Sequence, residues 1–312
     1  MSVLSDWGLT PEDDMFHPRD TNDPWWTETV WYAFFVPERN LVGYVYLVFR
    51  QNKNIQAGGV IIYDDTAALP WELPVLDYDW HNAIPDGLDL RDAKLDSGLH
   101  HRVVEPGQHY EITYSTREVE FDLTFRAAMK PHVILATPPF NKGHIDAIMH
   151  VTGTLVLRGE SMTVDSLAMR DRSWGQRKDG KQPTVGYEYA TADPENGFLA
   201  VSVSRATDVY EVTTGYLMRD GVWSHVSDGR RSVERNAVGH PMSVHIEATD
   251  QLGRTLIAEG RSMNAQVFCP YPSMLDMNSL VDWSWDGRQG WGEIQDCWLP
   301  RRWREYMRAR AS

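Results

Sequence analysis

Trp31-Tyr-Ala-Phe-Phe-Val36 and Leu41-Val-Gly-Tyr-Val-Tyr-Leu-Val-Phe49, separated by Pro37-Glu-Arg-Asn40, decide the fold class. Both runs are dominated by aromatic and β-branched residues, which suit a pleated surface, and the four residues between them are the length of a hairpin turn. A third run, Ala57-Gly-Gly-Val-Ile-Ile-Tyr63, follows the polar turn Gln51-Asn-Lys-Asn54. Strands joined this closely form an antiparallel meander, because a parallel pair needs a crossover of about a dozen residues or more.

Working outward, the spacing predicts further strands at residues 88–96, 109–115, 118–129, 150–157 and 162–169, the last two joined by Arg158-Gly-Glu-Ser161. The meander resumes at residues 186–192, 198–204, 211–218, 222–226, 243–249 and 255–265, with turn signals such as Arg219-Asp-Gly221 and Asp250-Gln-Leu-Gly253. Short strands at this regular spacing indicate a sandwich or barrel. Pro70, Pro74 and Pro85 make residues 69–85 a long loop, and Thr137-Pro-Pro-Phe-Asn-Lys-Gly-His144 a second one. Residues 1–28, polar and rich in Asp and Pro, read as an extended arm over the first domain. Residues 300–309, with Pro300 at the start and arginines toward the end, read as the one helix. The 312 residues suit two domains of about 150 each, assigned to 1–158 and 159–312. The expected fold is all-β: two antiparallel barrels and a short C-terminal helix.

A net charge of -14, with no cluster of Lys and Arg before the C-terminal tail, opposes nucleic-acid binding. Arg301, Arg302, Arg304, Arg308 and Arg310 read as the solvated face and end of the terminal helix. The N-terminus lacks a basic segment followed by an apolar one, and no run approaches the roughly 20 apolar residues of a membrane span, so the expected location is cytoplasmic. Cys269 and Cys297 are then expected as thiols, with no support for a disulfide between them. Thirteen tryptophans suit both thick cores and the walls of a pocket for an apolar ligand.

Familiar sites are missing. The chain has no GxGxxG, GxxxxGK[ST], HExxH, CxxC or GxSxG, so no cofactor is expected. His100 and His101 are adjacent and point to opposite faces of a strand, which opposes a shared metal ion. The densest constellation is Met169-Arg-Asp-Arg-Ser-Trp-Gly-Gln-Arg177. Along a strand, Asp171 and Ser173 share one face and Arg170, Arg172 and Trp174 the other. Asp171 is either an acid facing a cavity or one half of a structural pair with a nearby arginine.

Asp171-Arg-Ser-Trp-Gly175, arriving after Gly153-Thr-Leu-Val-Leu-Arg-Gly159 near mid-chain and followed late by Trp291-Gly-Glu293, resembles the AttH-like and carotenoid 1,2-hydratase group. That resemblance implies two lipocalin-like (calycin) barrels and a cavity enzyme acting on a hydrophobic terpenoid, steroid-like or isoprenoid substrate. It also implies that Asp171 is the general acid of a hydro-lyase or isomerase. The group's pattern most often reads Asp-His-x-Trp-Gly, and here Arg172 stands at the histidine position. Burial among aromatic rings keeps such an acid protonated, and ring faces stabilise the cation it generates. Trp174, Tyr187, Tyr189 and Trp291 are the candidate walls, Arg177 a candidate anchor for a polar substrate end or a neutraliser of Asp171, and His81 a candidate base. A non-catalytic lipid or isoprenoid carrier is the alternative, since such barrels also bind without transforming their ligands. An interaction protein with an aromatic surface is the third. Nothing in the sequence sets the oligomeric state.

Overall fold

The computed structural model describes residues 3–67, 69–135, 142–181, 183–204 and 208–311. The chain divides into two compact units, one of residues 1–36, 43–62 and 75–177, the other of residues 37–42, 63–74 and 178–312.

The first unit begins with the arm, which is not fully extended: a short helix α1 (Val3–Asp6) and a single 3-10 turn (Pro11–Asp14) interrupt it. Leu4 and Leu9 anchor it by burying against Trp26, Ile145 and Trp174. Strands β1 (Trp26–Val36), β2 (Leu41–Arg50) and β3 (Ile55–Tyr63) follow, as the three apolar runs require. Every residue of β1 is buried, which explains a run without polar alternation.

Residues 69–85 are not the loop expected of them. They hold one 3-10 turn (Pro70–Glu72) and strand β4 (Val75–Asn82). Pro74 lies just before β4, and β4 is the last strand of its sheet, where proline costs no ladder hydrogen bond. The strand expected at 88–96 shrinks to β5 (Asp92–Lys94), and β6 (His100–Glu105) was not anticipated. Then come β7 (His109–Ser115), β8 (Val119–Ala127) and a second unanticipated strand, β9 (His132–Leu135). Of the loop expected at 137–144, residues 137–141 lie outside the described residues, and Gly143 and His144 already belong to β10 (Gly143–Leu157). Strand β11 (Glu160–Gln176) returns from the turn at Arg158-Gly159. These two strands, 15 and 17 residues long, far exceed the runs expected at 150–157 and 162–169. The far half of β11 carries charged residues on both faces, Asp171 on one and Arg170 and Arg172 on the other, and that of β10 begins in the polar His144 and Asp146. The sheet runs β4-β3-β2-β1-β11-β10-β8-β7-β6-β5, with β9 on β10, and curls into a half-barrel.

The second unit is a closed barrel. Strands β12 (Thr184–Asp193), β13 (Asn196–Ser204), β14 (Val209–Arg219), β15 (Val222–Arg235), β16 (Pro241–Asp250) and β17 (Thr255–Ser262) form a meander, as the spacing predicts. Strand β18 (Gln266–Tyr271) hangs off β19 (Met274–Trp285), and β20 (Arg288–Trp298) completes the sheet. Pairing of β17 with β19 and of β20 with β12 closes eight strands. Inside, Phe198 meets Trp283 and Trp285 edge-on at 5.2 and 5.4 Å, the geometry that aromatic quadrupoles favour. Helix α2 (Pro300–Ala311) packs Trp303 and Tyr306 against this core. Both cysteines are free thiols, on β18 and β20. Among the described residues, no helix is long and apolar enough to cross a membrane.

Candidate active site

Register decides which side chains meet at the open end of the β10–β11 hairpin. On β10, Asp146 stands opposite Asp171 and His144 opposite Ser173; on β1, Trp31 stands opposite Asp171 and Thr29 opposite Ser173. On β9, His132 stands opposite Asp146. Since directly opposed residues share a face, these side chains form one polar patch. His144 Nε2 lies 2.6 Å from Asp171 Oδ2 and 2.7 Å from Asp146 Oδ1, and His132 Nδ1 lies 2.9 Å from Asp146 Oδ2. Asp146 and His132 are buried, whereas the side chains of His144 and Asp171 remain 32% and 19% exposed.

Burial by itself disfavours the imidazolium, but the charges of Asp146 and Asp171 and their hydrogen bonds outweigh it and hold the His144 pKa well above the ordinary imidazole value. Burial likewise opposes ionisation of Asp146, and the charge of His144 with hydrogen bonds from His132 and His144 overcomes it, so this carboxyl sits below its usual range. His144, Asp146 and Asp171 also present donor atoms within 4.8 Å of one another, of types that suit a divalent cation. Their separations are hydrogen-bond distances, and one imidazolium proton shared by two carboxylates accounts for them.

His144 opens onto a cavity of about 320 Å³ lined also by Ile134, Lys142, Gly143, Ser173, Trp174 and Arg177. Arg177 donates to the Tyr46 hydroxyl at 3.4 Å and to Ser173 Oγ, which shares a 2.6 Å hydrogen bond with Thr29 Oγ1. Trp31, opposite Asp171, stacks on Tyr44 with ring centroids 4.1 Å apart and meets Tyr46 edge-on at 5.3 Å. Gly175 has φ of 137°, a backbone conformation that a side chain resists, which accounts for glycine after Trp174.

The other face of β11 holds the arm. Arg172, at the position where the group's pattern has histidine, turns away from Asp171 and pairs with buried Glu28. Its guanidinium also donates to the carbonyls of Thr29, Ser173 and Met15 at 3.1, 3.1 and 2.8 Å. Arg170 pairs with Asp14, which accepts hydrogen bonds from Gly107 N and the Tyr110 hydroxyl. Trp174 stacks on His17, centroids 3.7 Å apart, while its edge reaches the cavity. Asp171 therefore pairs with His144 rather than with the arginine expected.

The structure thus gathers Asp171, Trp174 and Arg177 at one end of β11. His81 is exposed near the end of β4, and Tyr187, Tyr189 and Trp291 belong to the second unit. Sequence reasoning missed His144, Asp146, His132 and Trp31. The histidine and aspartate two residues apart in Gly143-His-Ile-Asp146 were the available signal, obscured by assigning His144 to a loop and starting the strand only at residue 150.

In the second unit, Tyr189 donates at 2.6 Å to Glu293, which is fully buried, and Tyr63 donates at 2.6 Å to Asn278. Gly292 precedes Glu293 because a Cβ there would lie 1.7 Å from the Tyr189 carbonyl oxygen. Burial, reinforced by neighbouring Asp276, raises the Glu293 pKa to about 8, and burial raises Asp276 to about 7. The folded chain keeps protons that the unfolded chain releases above the ordinary carboxyl range, so stability falls as pH rises from about 4 toward 8. Replacing Glu293 with Gln retains the acceptor for Tyr189 and removes its share of this loss. Urea unfolding is expected to give a smaller drop between pH 5 and pH 8 for Glu293→Gln than for the wild type, by roughly 1–3 kcal/mol.

Residues 10–300 match the family described as a domain of unknown function, DUF7064. The chain belongs to this family. No curated protein sequence matches it. Solved structures that share the fold of this DUF7064 protein include the following three. A protein designated AttH, NE1406 of Nitrosomonas europaea, is 14% identical with a TM-score of 0.59, covering 87% of this chain and 91% of its own. Kievitone hydratase from Nectria haematococca is 10% identical with a TM-score of 0.54, covering 88% and 89%. CghA, solved with Sch210972, is 12% identical with a TM-score of 0.54 and the same coverage. The AttH-like, mostly antiparallel barrel architecture expected from the Asp171-Arg-Ser-Trp-Gly175 motif is therefore that of this chain.

Proposed function

We propose that this chain is a cavity enzyme that hydrates, dehydrates or isomerises a hydrophobic substrate of terpenoid, steroid-like or isoprenoid type by proton transfer, with Asp171 as general acid. The observation that carries this reading is the 2.6 Å contact between Asp171 Oδ2 and His144 Nε2 beside the cavity. A carrier has no use for an ionisable pair there, whereas proton transfer needs an acid with a partner to reload it. In the hydration direction, the proton held between His144 Nε2 and Asp171 Oδ2 passes from the Asp171 oxygen to an alkene carbon. Water adds to the resulting cation, and the proton that water then loses returns to the pair. Trp174, which lines the cavity, provides ring surface for the cation, an effect of about 1–2 kcal/mol per ring when desolvated. The fold shared with kievitone hydratase fits the same class of reaction.

Solvent extraction and native mass spectrometry of the purified chain identify any apolar compound that copurifies. Incubated with that compound in D2O, the enzyme is expected to place one deuterium on carbon per turnover. Tight binding with neither exchange nor conversion would instead support the carrier reading.

A further inference from the structure

The residues behind His144 form a row across three strands. His132 on β9 stands opposite Asp146 on β10, which stands opposite Asp171 on β11, and all three share one face with His144. Two carboxylates directly opposed on adjacent strands repel each other, which destabilises a sheet unless a cation lies between them. His144 reaches from the neighbouring row into that place, with Nε2 at 2.7 Å from one carboxylate and 2.6 Å from the other. Asp146 spends its other oxygen on His132 Nδ1 at 2.9 Å, so each oxygen of this buried carboxylate has its own imidazole. Of these four residues His144 lines the cavity, and Asp171 stands behind it in direct contact with its ring.

We infer that Asp146 and His132 are positioning residues for the acid pair: His132 orients the Asp146 carboxylate, and Asp146 fixes the His144 ring against Asp171 and supplies the second negative charge that keeps this ring protonated. The catalytic meaning of this row rests on the proposed function; its geometry and its proton do not. A site built this way reloads Asp171 from a group already in contact with it. Other groups facing the ring do not replace Asp146 in this task. Strand β1 presents Thr29 and Trp31, which are uncharged there, and the further charges lining the cavity, Lys142 and Arg177, are cations that oppose protonation of His144.

The test uses the full chain without substrate. Nitrogen-15 histidine spectra, with His144 assigned from a His144→Gln variant, report its protonation between pH 5 and pH 9. In the wild type His144 is expected to remain an imidazolium at pH 7. Asp146→Asn is expected to lower its midpoint by at least one pH unit, a tenfold or greater loss of proton affinity, and Asp146→Glu to restore most of it. His132→Gln is expected to lower it by a smaller amount, and it serves as the second variant should Asp146→Asn fail to fold. A neutral wild-type His144 at pH 7 would overturn the inference. So would an unmoved midpoint in a folded Asp146→Asn or His132→Gln protein, or one equivalent of zinc or manganese, measured by elemental mass spectrometry, that Asp146→Asn loses. Because no turnover is measured, these outcomes are independent of the deuterium experiment that tests the proposed function.

Discussion

Asp171→Asn is expected to reduce turnover of the true substrate by about 10²–10⁴-fold while its dissociation constant changes by less than about threefold. Asparagine fills the same volume and can still face His144, but its amide has no proton acidic enough to give to an alkene. The loss therefore falls on kcat. The measurement is steady-state conversion of the copurified compound together with binding by isothermal calorimetry. Equal losses in kcat and affinity would make Asp171 a binding group, and no loss in either would remove it from the mechanism. Ser173, on the same face two residues later, is the internal control. Its hydroxyl is shared with Thr29 and Arg177, so Ser173→Ala acts on the shape of the site rather than on its proton.

Arg172→Ala is expected to destabilise the fold by about 3–5 kcal/mol, the cost of leaving a buried charge without its partner. Glu28 is fully buried, and burial alone would push its pKa up. The charge of Arg172, with His17 in support, reverses this and holds Glu28 below its ordinary value. Lysine does not rescue the loss, because a single ammonium cannot serve Glu28 and three backbone carbonyls at once. Urea unfolding at pH 7 measures the energy. Limited proteolysis should show the arm near Met15 and His17 becoming cleavable before the rest of the first unit. A change below about 1 kcal/mol would mean that Arg172 does not hold the arm.

These two residues show how far the sequence can be read. The alternation that places Asp171 and Ser173 on one face and Arg170, Arg172 and Trp174 on the other needs only the period of a strand, and the register confirms it. Aromatic and β-branched runs likewise reveal β1 to β3, because both chemistry and length agree there. The partners of Asp171 were out of reach for a physical reason. His144 and Asp146 lie 27 and 25 positions upstream, in a strand whose polar residues imitate a loop, and only pairing with β11 brings them into contact. Prolines misled at residues 69–85 because an outermost strand tolerates what an inner one does not. Strands β19 and β20 escaped notice since their polar residues, Asp276, Asn278 and Glu293 among them, are buried rather than solvated.

The two-sided character of β11 bears on how this family can change. Point substitutions on the cavity side can retune selectivity while leaving the anchors of the arm intact, since neighbouring positions look in opposite directions. Inserting or deleting one residue between the Arg158-Gly159 turn and Asp171 has no such freedom: every later side chain would trade faces, sending arginines to the face of His144 and the acid beneath the arm. Homologues that keep the chemistry should therefore differ here in residue identity and hardly ever in spacing.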